Sequence, residues 1–264
     1  MRALADWTPP VAVRGLFFDI DDTLTTEGRL TAAAYAALER LHGAGLVVAP
    51  ITGRPAGWCD HIARMWPVDG VIGENGAFYF AYDRAARRLV KRFRDDDATR
   101  AANRARLAAV RDRILREVPG AALASDQLYR EVDLAIDFCE DVPPLPDTVV
   151  DRIVAIMREA GMTAKVSSIH VNGWFGDYDK LGMTKAFMAE RRGVDLDACR
   201  ADYAFAGDSP NDAPMFAYFP HSVGVANVRR LAHWLEHAPA YVTDAAGGAG
   251  FAELAERLLQ VTRG

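Results

Sequence analysis

Short apolar runs alternate with segments of helical periodicity over the first 80 residues of the chain. The pattern predicts strands at 16–18, 46–51 and 71–72 and helices at 30–41 and 56–66. The order strand, helix, strand favours an α/β fold with a doubly wound parallel sheet. The sequence Glu-Asn-Gly at 74–76 then predicts a hairpin turn into a strand at 78–81.

The composition changes at Arg84, where a charged stretch leads into a helix that carries apolar residues on one face between 107 and 118. Alternating apolar residues then predict a strand at 132–138, three prolines interrupt the chain before a helix at 147–160, and strands follow at 164–171. This mixture of helices and antiparallel-type strands indicates an inserted α+β domain at 84–176. The first domain would then consist of residues 1–83 and 177–264.

The alternating pattern resumes after Gly176. It predicts helices at 181–192, 212–218, 229–235 and 251–259 and strands at 203–206, 223–225 and 240–242. Neither a GxGxxG nor a GxxxxGK[ST] motif is found, so the nucleotide-binding glycine loops are absent from the sequence. The sequence Gly-Gly-Ala-Gly at 247–250 is interpreted as a flexible turn before the closing helix.

Composition narrows the class of protein. With 264 residues, 50% of them hydrophobic and 25% charged, the chain can bury a sizeable core. The sequence shows no long apolar run and no signal peptide, and its three cysteines are far apart, so we expect a cytoplasmic protein without a membrane partner. The net charge of −5 disfavours nucleic acid. Residues 84–116 carry 12 Lys+Arg against 4 Asp+Glu, which could attract anionic substrates or simply be a solvated helix face.

The most informative chemistry is the sequence Asp-Ile-Asp-Asp-Thr directly after the first strand. Asp19 and Asp21 would lie at the carboxyl end of that strand, where open α/β sheets bind their ligands. One carboxylate can attack an electrophile while the second transfers a proton. Acids at a turn or a helix cap are the alternative that the residues alone leave open.

Three further groups follow strands or begin helices of the alternating blocks. They are Thr52-Gly53-Arg54, a lysine at 180 or 185, and the segment 207–212, which contains Asp208, Asn211 and Asp212. A doubly wound sheet could bring all of them to one edge. Phosphoryl transfer needs such a set: a nucleophile, a proton donor, hydroxyl and cationic groups for the phosphate oxygens, and acids for Mg²⁺.

These motifs, in this order and spacing, resemble the haloacid dehalogenase (HAD) superfamily, over nearly the whole chain. The resemblance is closest to subfamily IIB, which includes Cof-type, sucrose-phosphate and trehalose-phosphate phosphatases and phosphomannomutase, and in which an α/β cap is inserted after the third core strand. The sequence Glu-Asn-Gly-Ala at 74–77 also resembles the sugar-phosphatase members. The resemblance implies a modified Rossmann core and a Mg²⁺-dependent phosphatase that acts on a small phosphorylated metabolite, most simply a sugar phosphate.

The resemblance also implies roles for individual residues. Asp19 would form an aspartyl-phosphate, and Asp21 would protonate the leaving oxygen and then accept a proton from water. Thr52, Gly53 and Lys180 would balance charge on the phosphoryl oxygens. The residues implied as Mg²⁺ ligands are Asp19, the Asp21 carbonyl and Asp208, supported by Asn211 and Asp212.

Some assignments stay open at this stage. Lys180 suits the family's lysine motif better than Lys185, which nevertheless has a compatible neighbourhood. Arg54 is either a phosphate contact or a surface arginine at the start of a helix. A phosphohexomutase would keep the same motifs, and a non-catalytic phosphometabolite-binding module is a further alternative. The segment 170–179 should lie near the opening of the site, with Asn172, Trp174 and Asp177 near the leaving group.

Overall fold

The computed structural model describes residues 1–8 and 13–262. Its strands, in chain order, are β1 (Arg2–Ala3), β2 (Gly15–Phe18), β3 (Val47–Pro50), β4 (Val71–Gly73), β5 (Phe78–Asp83), β6 (Arg88–Phe93), β7 (Ala122–Leu123), β8 (Leu134–Asp137), β9 (Thr163–Val166), β10 (His170–Trp174), β11 (Tyr203–Gly207), β12 (His221–Gly224) and β13 (Tyr241–Val242). Its α-helices are α1 (Ala32–Gly43), α2 (Ala56–Met65), α3 (Asp97–Glu117), α4 (Asp147–Glu159), α5 (Lys180–Arg192), α6 (Leu196–Cys199), α7 (Ala213–Tyr218) and α8 (Gly247–Thr262).

The central sheet is parallel and has the strand order β1-β13-β12-β11-β2-β3. Successive residues of β2 point to opposite faces of this sheet. Phe18 packs with α1 and α8 on one face, and Phe17 packs with α5 and α7 on the other. Helices on both faces explain why all four residues of β2 are buried. The predicted doubly wound α/β core is confirmed.

A second sheet, antiparallel and ordered β7-β8-β10-β9, forms the cap. Val171 faces a cluster of apolar residues from α3 and α4. Because strand residues alternate, His170, Asn172 and Trp174 lie on the opposite face of β10. That face carries the polar side chains of the cap, and Asn172 and His170 line a cavity together with Asp19.

A third sheet, β4-β5-β6, joins the two and is antiparallel. The strand β6 falls in the segment that the sequence analysis treats only as a charged stretch. Its Arg88, Lys91 and Arg92 are exposed while Leu89 and Phe93 pack against α2, as expected of an edge strand. The hairpin β5–β6 spans residue 84, and the domain boundaries at 83/84 and 176/177 stay predictions.

The interpretation of residues 247–250 as a flexible turn was wrong, because α8 begins at Gly247. The small residues let this first turn approach the chain that follows β2. A Cβ atom at Gly248 would lie 2.7 Å from the Leu24 carbonyl oxygen, and the Gly248 amide donates to the Thr25 carbonyl at 3.1 Å. Among the described residues, no helix combines the length and apolar character needed to cross a bilayer.

Candidate active site

Three neighbouring strands of the central sheet deliver the predicted acids and hydroxyl. Asp19 follows β2, Thr52 follows β3 and Asp208 follows β11. The strand β2 lies between β11 and β3, and the three are parallel, so their carboxyl ends share one edge of the sheet. The fold therefore places the side chains at the edge where α/β proteins bind ligands.

Lys180, the first residue of α5, lies at the centre of this edge. Its Nζ donates to Asp19 Oδ1 and to Asp212 Oδ1, both at 2.7 Å, and its side chain is 2% exposed. Burial alone would lower the pKa of Lys180, but the two carboxylates raise it above its usual value, so the lysine stays charged. Lys185 instead lies at the surface and pairs with Asp197 at 2.7 Å. The geometry thus brings Lys180, and not Lys185, to the acids.

Asp19, Asp208 and Asp212 form a compact buried cluster in which one oxygen atom of each lies within 4.8 Å of the others. Burial raises the pKa of Asp19 to about 8, an effect that Lys180 opposes and the carboxylates of Asp212 and Asp21 reinforce. Burial and the carboxylates of Asp19 and Asp212 raise the pKa of Asp208 well above its usual range. Three buried acids with one lysine are therefore short of positive charge.

A divalent cation fits this cluster. Carboxylate oxygens are the donors that Mg²⁺ prefers, and a cation would offset the two negative charges that Lys180 leaves uncompensated when the acids are ionised. Neighbouring groups also orient Asp208, since Thr23 Oγ1 donates to its Oδ1 and Asn227 Nδ2 donates to its Oδ2, each at 3.2 Å. Such hydrogen bonds hold a carboxylate in position for a metal.

Asp21 and Arg54 form a close ion pair beside the cluster. Arg54 donates from Nε to both oxygens of Asp21 at 3.0 Å and from Nη2 to Oδ1 at 2.8 Å. The same guanidinium contacts two acids of the insert, Asp126 at 3.4 Å and Glu140 at 2.6 Å. Arg54 is only 4% exposed, so it is not a free surface arginine, and its predicted phosphate contact stays a prediction.

Glu140 was not identified from the sequence. Its Oε2 lies 2.9 Å from His170 Nε2, and its other oxygen accepts from Arg54. Partial burial acts in the opposite direction, but hydrogen bonds from His170 and Arg54 lower the pKa of Glu140 to about 2. A continuous series of side-chain contacts, Asp21–Arg54–Glu140–His170, therefore links the predicted proton donor to the cap.

The predicted phosphate loop is buried under the cap. The Thr52 hydroxyl is inaccessible to solvent and accepts from the Arg54 amide at 3.0 Å, which leaves its own proton available. The Asn75 side chain packs closely against Gly53, since a Cβ atom added at Gly53 would lie 3.2 Å from Asn75 Nδ2. Asn211 Nδ2 lies 3.5 Å from Asn75 Oδ1. The predicted phosphate-binding residues thus lie together, and their roles stay predictions.

A small cavity lies over these groups. Its lining consists of Asp19, Asp21, Gly53, Arg54, Ser167, Ser168, Ile169, His170, Asn172 and Asn211. Core and cap both contribute to it, as expected for a site that a cap covers. Of the three residues predicted near the leaving group, Asn172 lines this cavity, whereas Trp174 and Asp177 line an adjacent one.

Glu74 and Arg130 connect the cap to the phosphate loop. The Glu74 carboxylate is buried and accepts four backbone N–H groups, from Ala56 at 3.0 Å and from three consecutive residues, 131–133, at 2.7–3.1 Å. Arg130 donates to the Gly53 carbonyl and to Asp133 Oδ1, at 2.8 and 2.9 Å. The sequence did not identify either role, because four backbone donors from distant segments leave no motif.

Replacing Glu74 should destabilise the protein. We expect Glu74→Ala to lower the free energy of unfolding by about 3 kcal/mol, because buried amides would lose a charged acceptor. Glu74→Gln should cost less because it keeps one oxygen acceptor. Denaturant titration measures both, with the exposed Glu39→Ala on α1 as control. A loss for Glu74→Ala no greater than for Glu39→Ala would contradict the role of this carboxylate.

Comparisons with known proteins agree with this geometry. Residues 16–102 match the sequence profile of the haloacid dehalogenase-like hydrolases. The chain is 29% identical, over 93% of its length and 95% of the relative, to a phosphoglycolate phosphatase of Haloarcula marismortui. Protein 0175 of Thermoplasma acidophilum has the same fold, with a TM-score of 0.68 and 17% identity over 94% of this chain and 99% of the other. A sugar phosphatase of HAD subclass IIB matches with a TM-score of 0.61 and 14% identity, over 94% and 99%.

Residues 16–102 therefore have the sequence profile of haloacid dehalogenase-like hydrolases, and the chain is similar to a phosphatase over nearly its full length. Its fold is similar to that of the subclass IIB sugar phosphatase. The resemblance inferred from the motifs is thereby confirmed, and the comparisons support the enzyme class it implied, a phosphatase of this superfamily.

Proposed function

We propose that the protein is a Mg²⁺-dependent phosphatase that hydrolyses a small phosphorylated metabolite through an aspartyl-phosphate on Asp19. The observation that carries this proposal is the contact of Asp19 with a buried lysine, at 2.7 Å, inside a cluster of three acids. A carboxylate that lies beside a lysine, within a cluster of acids able to bind a metal ion, is suited to attack phosphorus. The lysine and the metal would supply positive charge for the phosphate that approaches.

The reaction would proceed in two displacements. An Asp19 oxygen attacks phosphorus, the bond from phosphorus to the leaving oxygen breaks, and Asp21 gives its proton to that oxygen. A water then attacks the phosphorus of the aspartyl-phosphate, and Asp21 takes a proton from that water. The bond from phosphorus to the Asp19 oxygen breaks, which frees the Asp19 carboxylate and inorganic phosphate. Lys180, Thr52 and the Gly53 amide would balance the charge on the phosphoryl oxygens.

Arg54 would act on the second displacement through Asp21. Its guanidinium donates three hydrogen bonds to Asp21 in the carboxylate form, which is the form that accepts a proton from water. Protonation of the leaving oxygen needs the other form of Asp21. The ion pair with Arg54 therefore has to loosen when the substrate binds.

The metal would be held by Asp19, Asp208 and the Asp21 carbonyl, with Asp212 and Asn211 in support. When bound, Mg²⁺ would supply positive charge that lets the anionic phosphate approach the acidic cluster. The chain's own residues prepare this site, since Thr23 and Asn227 fix Asp208 while Lys180 fixes Asp19 and Asp212.

Removing the lysine should slow turnover strongly. We expect Lys180→Met to lower kcat/KM by about 10²-fold, the usual cost of one lost charge-stabilising donor in a buried site. Lys185→Met, on the same helix, is the matched control and should change kcat/KM by less than about twofold, because Lys185 contacts Asp197 and the Tyr218 ring and none of the clustered acids. The opposite pattern, with the larger loss in Lys185→Met, would assign the catalytic lysine to position 185.

The substrate is proposed to be a small metabolite, with a sugar phosphate as the predicted class. The cap supports small substrates, because Ser167, His170 and Asn172 close over the acids. The relative named phosphoglycolate phosphatase, which matches over nearly its full length, makes phosphoglycolate the second candidate.

A panel of phosphorylated metabolites, assayed for released phosphate, tests the substrate class. We expect turnover of 4-nitrophenyl phosphate and faster turnover of one sugar phosphate or of phosphoglycolate. Asn172→Ala should raise KM for that best substrate more than for the aryl phosphate, because Asn172 lines the cavity from the cap. Preferred cleavage of phosphoproteins or nucleic-acid ends would contradict the proposed class.

The same panel separates the remaining alternatives. Interconversion of hexose 1- and 6-phosphates without net phosphate release would identify a phosphohexomutase. Binding of a metabolite without turnover of any phosphate ester would identify a non-catalytic module. A cytoplasmic location and the absence of nucleic-acid and membrane partners stay predictions.

A further inference from the structure

A second cavity, of about 300 Å³, lies between the cap and the core beside the proposed catalytic cluster. We call it the Trp174 pocket and define it by Asn75, Arg94, Lys165, Trp174, Tyr178 and Lys180, which line it. Asn211 lines both this pocket and the cavity over Asp19. The pocket is therefore next to the proposed active site, but neither Asp19 nor Asp21 lines it.

Three residues of the Trp174 pocket carry buried polar atoms that no protein group satisfies. Asn75 Nδ2, Trp174 Nε1 and the Tyr178 hydroxyl have no hydrogen-bond partner in the described part of the chain. Their residues are 2%, 1% and 7% exposed. Buried polar groups in native proteins are almost always paired, and two of these atoms can only donate. Three such groups around one cavity point to a ligand that accepts hydrogen bonds.

The charges around the pocket favour an anion. Arg94, which follows β6 of the third sheet, and Lys165, on β9 of the cap, line the pocket, and neither forms an ion pair among the described residues. The N-terminus of the 13-residue helix α5 adds its positive end. Of the two acids in the lining, Asp179 caps α5 by accepting from the Gly182 amide, and Asp177 is exposed.

We propose that the Trp174 pocket binds an oxyanion, a carboxylate or phosphate group, other than the phosphate that reacts at Asp19. This group is either a second anionic group of the substrate or a separate small anion. In the first case the inference rests on the proposed function and narrows it to substrates with two anionic groups. In the second case it is independent of that function.

Calorimetric titration of the full-length, metal-free protein with malonate tests the proposal. We expect saturable binding whose affinity falls about tenfold or more in the double variant Arg94→Gln/Lys165→Gln, because two charge-assisted contacts are lost. The matched control is Lys91→Gln, on β6 three residues before Arg94, which removes a lysine that pairs with Asp60 outside the pocket. Its malonate affinity should equal that of the unchanged protein.

A second pair of variants removes hydrogen-bond donors. Trp174→Phe and Tyr178→Phe keep aromatic rings in the pocket, and circular dichroism monitors their folding. Each should weaken malonate binding, since each deletes one donor. The proposal would be overturned if the affinity for malonate were unchanged in the double variant Arg94→Gln/Lys165→Gln and also in Trp174→Phe and Tyr178→Phe. Binding of glucose in place of malonate, lost in the same variants, would overturn the anionic class.

Steady-state kinetics with phosphoglycolate, which carries a carboxylate besides its phosphate, distinguishes the two sources of the anion. If malonate raises KM and leaves kcat unchanged, the pocket holds a group of the substrate. If malonate binds without raising KM, the pocket holds a separate anion. Both results support an oxyanion site. Because calorimetry needs no turnover, malonate binding by a protein without phosphatase activity would contradict only the proposed function.

Discussion

Asp19→Asn is expected to lower kcat by about four orders of magnitude, the scale of loss when a covalent nucleophile is removed. The amide is isosteric with the carboxylate, but it is a poor nucleophile and cannot form the aspartyl-phosphate. The fold should persist, because the variant removes a negative charge from a cluster that already has too many. Kinetics with the best substrate of the panel measures the loss, and circular dichroism checks the fold.

Asp22→Asn is the matched control for this variant. Asp22 belongs to the same loop after β2, but its carboxylate lies outside the cluster of Asp19, Asp208 and Asp212. Its backbone has a positive φ of 54°, which asparagine tolerates, so the substitution adds no strain. We expect kcat to change by less than about tenfold, because the substitution removes one charge and leaves an amide oxygen that can still accept a hydrogen bond from Ser168. An Asp19→Asn protein as active as this control would exclude Asp19 as the nucleophile.

Removal of the divalent metal should be the second large effect. We expect chelation to lower turnover by about three orders of magnitude, since a catalytic cation supplies several kcal/mol of stabilisation to the transition state. Added Mg²⁺ should restore activity. It should also raise the melting temperature, because a ligand that binds only the folded state stabilises it and would here relieve repulsion among buried acids.

The melting temperature provides the control for the metal prediction. Asp208→Asn should remove most of the increase caused by Mg²⁺, whereas Asp22→Asn should retain it. Undiminished activity of a protein shown by elemental analysis to be free of metal would contradict the proposed cofactor. Restoration by Zn²⁺ but not by Mg²⁺ would contradict the assignment to a hard, oxygen-bound cation.

The core of the fold was predictable because its signals are local. Each parallel strand is a short apolar run buried on both faces, and each helix shows its periodicity, so β2, α1 and β3 follow from the pattern. The strand β6 was missed because its charged side chains face solvent and hide the alternation. The start of α8 was missed because glycine is a poor helix former, and the close approach of Gly247 to Thr25 and of Gly248 to Leu24 explains the glycines there.

The candidate site was predictable where residues cluster in motifs. Asp19 and Asp208 directly follow the neighbouring parallel strands β2 and β11, and Asp212 lies in the turn between β11 and α7, so the three come together. Of the two candidate lysines, Lys180 contacts Asp19 and Asp212 and Lys185 does not, and the catalytic role of Lys180 stays a prediction.

The contacts across the cap could not be predicted. Glu140 reaches Arg54 from 86 residues away, and the pairing depends on how the cap sheet lies over the core. Glu74 and Arg130 depend on the path of the chain between the two sheets. Such pairs are set by tertiary packing and follow no spacing rule in the sequence.

The central claim is that phosphate passes through Asp19, and rapid acid quenching tests it most directly. The protein is mixed with Mg²⁺ and a ³²P-labelled substrate from the panel, quenched during turnover and digested, and the labelled peptide is identified by mass spectrometry. The account predicts an acid-stable, hydroxylamine-sensitive label on the peptide that contains Asp19, absent from Asp19→Asn. Turnover without any labelled peptide, or a label on another residue, would contradict it.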